Sequence, residues 1–400
     1  MTTLTKRTAL VVAATVVLTG SGAVSAAAAP PAHDVSMREV AARVLSVGVP
    51  GYVARIDDGR RVRTTVAGLA DRETGRPLNG REQFEVGSNT KTFMAVLALQ
   101  LVDRGRLKLD RPVGDYLPGV VPDGDHITVR MLLNHTSGLF SYTSDPAFFE
   151  RMNEDPQHVY TERELLDVAF GHAPNFAPGQ GWSYSNTNYT LIGMILQRLT
   201  GQSLPDLVER RIAKPLGLDR TYFADPRATH TGRGYAHGYA VSFAGAQPVH
   251  TDVSEWPIGG WGGAAGAIIS TPEDLARFFE AVLGGELFSR AQLAQMRSTV
   301  DIPESFGIKG GYGLGLIRID SVCGTVWGHG GDTMGHHSTA VASADGRRTA
   351  VTDATAEPVD SEPNAGAERF YRVVMAADTA TICHLLNKPV PAAVADALRG

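Results

Sequence analysis

Apolar positions recur along the chain with two different periods, and the order in which those periods alternate sets the expected fold. Residues 36–47 place Val40, Val44 and Leu45 on one side of a helix, and the pattern stops at Gly48-Val49-Pro50-Gly51. Tyr52–Ile56 and Val62–Val66 read as strands, with Asp57-Asp58-Gly59 between them as a hairpin signal. Thr90–Arg104 is apolar on nearly every side, which suits a helix buried in an interior, and Gly105 follows as a C-cap. Helical patterns continue over Thr161–Phe170, Asn188–Leu199, Ser203–Arg211 and Thr271–Leu283, separated by long connections. Thr271-Pro272 starts the last of these well, because threonine can cap and proline suits the first turn. Strand patterns return at Gly313–Ile319, Thr325–Gly328, Ser338–Ser343 and Thr349–Thr352, with Asp345-Gly346 as a second hairpin turn. Ala365–Leu386 closes the pattern as a long helix.

Strands, helices, strands, helix is the signature of an α/β (α+β) fold. Early and late strands share one antiparallel sheet, flanked by helices from both chain ends, and a mostly helical lobe of residues 90–290 is inserted between them. The folded domain is expected over residues 35–388, followed by a loose tail at 389–400. A seam between two lobes is a common place for a binding site.

Composition narrows the setting. The 400 residues are 43% apolar and 20% charged with a net charge of −5, which describes a soluble globular protein. No basic cluster could neutralise a row of phosphates, so nucleic acid is excluded as a partner. Lys6 and Arg7, the apolar run Ala9–Leu18 and Val24-Ser25-Ala26 read as an export signal over residues 1–26, with a loose lead at 27–34 after cleavage. That run is too short to cross a bilayer, so a secreted protein without stable membrane insertion is expected. Outside the cell the two cysteines, Cys323 and Cys383, are expected to pair; two buried free thiols are the alternative. Without nearby paired histidines they make a poor zinc site.

Three short segments carry chemistry. Ser88 at a helix start has Lys91 one turn later, so both side chains share a face. An apolar helix around Lys91 disfavours its charged form and suits it to accept the serine proton. Tyr184 and Asn186 lie in a loop just before a helix; the phenol could be stabilised as phenolate beside a lysine, and the carboxamide could hold a substrate amide. A tyrosine and an asparagine that merely cap the next helix fit the same positions. His329-Gly330-Gly331 follows a strand, where glycines let a substrate backbone approach and leave N–H groups free for an oxyanion; a plain turn fits equally.

Taken together, the chain resembles the serine β-lactamase and penicillin-binding protein superfamily, in particular secreted D-alanyl-D-alanine carboxypeptidases related to class C β-lactamases. Carrying the resemblance are Phe84–Lys91, Gln100–Leu107, Leu132–Leu139, Tyr184–Asn188, Gly266–Thr271, Tyr312–Leu316 and Gly328–Gly331. It implies Ser88 as the acylated residue, Lys91 as its base and Tyr184 as the proton shuttle to the leaving amine. Asn186 would bind the acyl side-chain amide, and the backbone N–H groups of Ser88 and Asp332, beside Gly331, would form the oxyanion hole. Trp261 falls at an aromatic wall, His329 replaces a lysine, and the cysteine spacing resembles a disulfide of the carboxypeptidases. Two positions depart from the pattern. Gly330 stands where a hydroxyl residue is usual, and Ile317 where some carboxypeptidases carry an arginine for the terminal carboxylate. His329, Thr333 and above all Arg318 are the substitutes expected; a solvated strand residue is the alternative for Arg318, because alternation points it away from the face Ile317 occupies.

The implied activity is a D-alanyl-D-alanine carboxypeptidase acting on peptidoglycan-type stem peptides and acylated by β-lactams. A β-lactamase or esterase using the same site is the alternative, and a non-catalytic penicillin- or wall-binding module the second. No metal or organic cofactor is implied, and a monomer is expected.

Overall fold

In the computed structural model, which describes residues 35–359 and 364–399, the first helix α1 spans Met37–Leu45 and is started by the Ser36 side chain, which accepts from the Glu39 N–H. The leader expected over 1–26 and the lead at 27–34 lie outside the described residues. Strands β1 (Gly51–Asp57), β2 (Val62–Asp71) and the short β3 (Arg76–Pro77) follow. The buried helix α2 is Thr90–Asp103, and α3 is Asn186–Thr200, ended by Gly201 at φ 68°. A hairpin of β4 (Tyr239–Ala244) and β5 (Gln247–Asp252) precedes α4 (Pro272–Gly284), which Thr271 caps by accepting the Asp274 N–H. The late strands are β6 (Val300–Asp301), β7 (Gly310–Tyr312), β8 (Ile317–Ser321), β9 (Gly324–Asp332), β10 (His337–Ala342) and β11 (Thr349–Ala354). Helices α5 (Ala365–Leu385) and α6 (Ala392–Arg399) finish the chain.

Among the described residues, nine strands form one sheet in the order β3-β2-β1-β11-β10-β9-β8-β7-β6. Antiparallel pairing of β1 with β11, Tyr52 opposite Ala354, joins early and late parts of the chain inside the sheet. Side-chain alternation then sorts the two faces. Tyr52, Ala54 and Ala354 pack under α1 and α5 with Val40, Val44, Phe370 and Val374. Ala340, Ala342 and Val351 face α2 and α4, meeting Phe93, Leu97, Phe278 and Val282. The expected architecture is therefore present: a sheet between terminal helices on one side and the inserted lobe on the other.

Three local expectations need correction. The strand read over Gly313–Ile319 begins as a turn between β7 and β8, and only its last residues, Ile317–Ile319, are in a strand, because Gly313 N–H turns back to the Leu316 carbonyl (2.7 Å) and Gly315 takes φ 68°. The inserted segment also holds the β4–β5 hairpin, whose first strand pairs in parallel with Ala356–Pro358. Residues 389–400 are not a loose tail: α6 buries Ala395 and Leu398 in the cluster that contains Phe370. Ala395 and Leu398, three residues apart, fall on one helical face, and α5 supplies the surface that covers them. Cys323 and Cys383 are disulfide-bonded with Cα atoms 5.1 Å apart, tying α5 to the turn between β8 and β9.

Candidate active site

Ser88 sits in a single 3₁₀ turn, Gly87–Asn89, that runs directly into α2. The turn is stapled on both sides. Asn89 Nδ2 donates to the Val86 carbonyl (2.9 Å) and to Ser338 Oγ on β10 (3.0 Å), while Thr90 Oγ1 accepts the Ile268 N–H (3.0 Å). It also touches the end of β9 so closely that no side chain fits between them. A Cβ on Gly331 would lie 2.0 Å from the Val86 carbonyl oxygen and 2.9 Å from the Ser88 nitrogen; one on Gly87, at φ 52°, would meet the Asp332 nitrogen at 2.8 Å. The Ser88 and Asp332 amides, the pair expected to bind an oxyanion, are thus brought together by two glycines.

One turn into α2, Lys91 is fully buried, and its Nζ lies 2.9 Å from Ser88 Oγ and 2.9 Å from the Ala265 carbonyl, to which it donates. Burial holds the ammonium well below the usual lysine range, with Asp332 pulling weakly the other way. A neutral amine keeps a lone pair for the serine proton. The Nζ stands 4.8 Å from the centre of the Tyr184 ring. Burial drives the Tyr184 phenol well above its ordinary range, against a hydrogen bond with Ser88 that lowers it. Tyr184 is therefore a phenol here rather than the lysine-stabilised phenolate expected: with the lysine neutral, no cation holds a phenolate, and the pair carries one shared mobile proton.

Asn186, the first residue of α3, donates from Nδ2 to Thr143 Oγ1 (2.9 Å), and its buried Oδ1 has no hydrogen-bond partner. His329 Nδ1 donates to the Gly330 carbonyl (2.5 Å), so its Nε2 accepts from the Tyr312 hydroxyl (2.8 Å). Burial pushes this imidazole down to about 3, with Lys91 adding to the effect. His329 thus replaces a lysine in position but not in charge. Arg318 does not reach the site either. Its guanidinium donates to Asp320 (3.1 Å) and Thr299 (3.2 Å), on the face opposite Ile317, which packs with Tyr312. Trp261 lies in a cluster with Tyr142, Phe148 and Leu165, and its carbonyl accepts the Tyr142 hydroxyl (3.0 Å). The rings against Tyr184 are instead His135 (4.3 Å between centroids), Phe306 (5.5 Å), Tyr312 (6.1 Å) and Trp182 (6.4 Å). Of these, Leu132–Leu139 and Tyr312–Leu316 stood out as segments, but neither carried a residue role; Phe306 sits in a loop with no pattern to mark it.

Asp332 is the charged group nearest the paired amides, and its side chain is 61% exposed. One oxygen accepts from His337 Nδ1 (2.6 Å), whose Nε2 meets Asp378 on α5 at 3.2 Å. Burial alone would lower the His337 value, but Asp332 and Asp378 outweigh it and hold the imidazolium well above the ordinary histidine range. Asp332, His337 and Glu357 bring ligand atoms within 4.8 Å of one another, yet both His337 nitrogens carry protons to carboxylates, so the group offers no free imidazole lone pair for a metal. A cleft of about 340 Å³ lined by Arg81, Arg220 and Arg233 includes none of these site residues.

The chain is 29% identical over 296 residues to penicillin-binding protein 4* of Bacillus subtilis, covering 71% of this chain and 63% of that protein. It is 32% identical to esterase EstB of Burkholderia gladioli over 62% of this chain and 68% of the esterase. Among solved structures, a D-stereospecific amidohydrolase from Streptomyces sp. is 39% identical with a TM-score of 0.73, covering 82% of this chain and 95% of that one. A D-amino acid amidase from Ochrobactrum anthropi is 28% identical with a TM-score of 0.73, over 86% and 98% of the two chains. Residues 38–372 match the family model described as Beta-lactamase, and with that match covering most of its length, the chain belongs to the beta-lactamase family.

Proposed function

We propose that this protein is a serine amidohydrolase that works through an acyl-enzyme on Ser88 and cleaves the amide bond after a D-residue whose leaving group bears no free carboxylate. The observation that carries the acyl-enzyme reading is the buried Lys91 amine 2.9 Å from Ser88 Oγ. Ser88 Oγ attacks the carbonyl carbon as its proton passes to Lys91 Nζ, and the Ser88 and Asp332 N–H groups hold the oxyanion. When the C–N bond breaks, the leaving amine takes the Tyr184 proton, and Lys91 returns its own to Tyr184. Water then attacks the ester, giving its proton to the same pair, and Ser88 Oγ leaves with one. Substrate N–H can be accepted by the unpartnered Asn186 Oδ1.

A D-alanyl-D-alanine carboxypeptidase must also bind a terminal carboxylate. Here Gly330 offers no hydroxyl, His329 is neutral with both nitrogens engaged, Arg318 is turned away, and Asp332 repels an anion beside the oxyanion amides. Similarity to the Streptomyces D-stereospecific amidohydrolase and the Ochrobactrum anthropi D-amino acid amidase supports an amide or amine-bearing leaving group instead. Export is part of the reading: it rests on the 1–26 pattern, and a disulfide suits an oxidising compartment. The test compares kcat/KM for D-alanine p-nitroanilide, its L enantiomer, and a D-Ala-D-Ala peptide as free acid and as amide. The D-anilide and the peptide amide are expected to be the better substrates. A free-acid peptide preferred over its amide would overturn the leaving-group assignment, and hydrolysis surviving in Ser88→Ala would overturn the acyl-enzyme.

A further inference from the structure

We propose that His135 is the positioning residue for Tyr184, clamping the backbone on both sides of the phenol so that its oxygen stays between Ser88 and the leaving group. The inference rests on the acyl-enzyme reading above. His135 is fully buried and holds φ 65°, a left-handed conformation that is strained for a residue with a Cβ. That cost is accepted where the surroundings over-determine it. Here the return is a clamp: the His135 carbonyl accepts the Ser183 N–H (3.1 Å), and its Nδ1 accepts the Ser185 N–H (3.1 Å). The residue between those two donors is Tyr184, and the imidazole stands behind its ring at 4.3 Å.

The side chain is chemically specified as well. The Asn188 carboxamide nitrogen also faces Nδ1, at 3.2 Å, so Nδ1 is an acceptor and the ring hydrogen sits on Nε2, which has no hydrogen-bond partner. Burial holds the imidazole well below the ordinary histidine range, which favours the neutral ring that leaves Nδ1 free to accept. An uncharged acceptor that tolerates φ above zero is a narrow requirement. Asparagine meets both halves of it, since its carboxamide oxygen reaches the place of Nδ1 and it visits the left-handed region readily. Leucine meets neither.

The experiment measures kcat and KM for D-alanine p-nitroanilide with His135→Leu and His135→Asn, each alone and combined with Tyr184→Phe, alongside thermal midpoints. His135→Leu is expected to lower kcat about 100-fold, the scale of an ångström of misplacement. KM should stay within about threefold, because binding groups are untouched. His135→Asn should recover at least about tenfold of that loss, and in the Tyr184→Phe background His135→Leu should cost less than about threefold. Equal losses in both backgrounds would overturn the proposal, and so would an asparagine variant as impaired as the leucine one. If His135→Leu fails to fold, the asparagine variant decides: a loss as deep as that of Tyr184→Phe rejects the clamp. An inert wild type toward every D-amide would instead sink the substrate reading alone; the same variants are then compared by the p-nitrophenol burst from p-nitrophenyl acetate, where the same pattern is expected.

Discussion

Lys91 and His337 are both basic, both removed from water, and both near Asp332, yet they end in opposite protonation states. Lys91 meets a serine hydroxyl and a backbone carbonyl, and burial wins; His337 meets two carboxylates at 2.6 and 3.2 Å, and the carboxylates win. The difference shows that burial alone does not make a base. A buried nitrogen is left with a usable lone pair only when its neighbours are neutral acceptors and donors.

The most damaging way to break this comparison is to remove the neutral base. Lys91→Met is expected to lower kcat by about 1,000-fold, within the span of general acid–base contributions, while the thermal midpoint holds or rises because a desolvated amine is replaced by an apolar chain. A variant that unfolds several degrees earlier would show that Lys91 is held as a paired cation.

Next in size is the charged partner. Asp378→Asn is expected to destabilise the fold by about 3 kcal/mol in a denaturant titration, since it leaves a buried cation with one carboxylate fewer. The two bases also impose opposite pH slopes. His337 has a raised folded value, so the native state binds more protons in the window above about pH 6.5 and its contribution falls as pH rises through that window. Lys91 has a lowered folded value, so the unfolded state binds more protons up to about pH 10.4 and stability rises with pH on its account. Lys91→Met should therefore remove an upward slope and Asp378→Asn reduce a downward one; the reverse assignment would refute the protonation states.

The smallest change sharpens the comparison on the substrate side. A Cβ at Gly330 would meet only the Ser338 carbonyl oxygen, at 3.6 Å, so Gly330→Thr should fold normally. Its hydroxyl is expected to raise the free-acid to amide ratio of kcat/KM about tenfold, the worth of one hydrogen bond to a charged group. An unchanged ratio would mean that Asp332, not the missing hydroxyl, sets the preference.

Much of the fold was legible because its signals are local. The apolar run of α2, the Thr271 cap and the hairpin at Asp57–Gly59 each depend on neighbours in sequence. The β4–β5 hairpin was not, because its outer strand, Gln247–Asp252, is largely exposed, and its first strand, Tyr239–Ala244, pairs with distant Ala356–Pro358. At the site, Ser88, Lys91 and Tyr184 fell together as their motif spacing implied. Arg318 was preferred for its chemistry, and strand alternation put it on the wrong face; the charges of His329 and Tyr184 depend on burial, which no spacing reports. His135 was visible only as part of a motif, since its work is done by a backbone angle and a ring nitrogen facing residues about fifty positions away.

The joining of early and late strands inside the sheet bears on how this molecule matures. Gly51 N–H donates to Thr355 Oγ1 across 304 residues, and Asn89 to Ser338 across 249. Contacts of such range close late, because the chain entropy they cost is repaid only once both partners are present. A ribosome that has made only the first three hundred residues has made Ser88, Lys91 and Tyr184, but not the strand that brings the Asp332 amide beside them. On the proposed mechanism, hydrolytic competence is thereby withheld until the final quarter of the polypeptide arrives, whatever the state of the helical lobe.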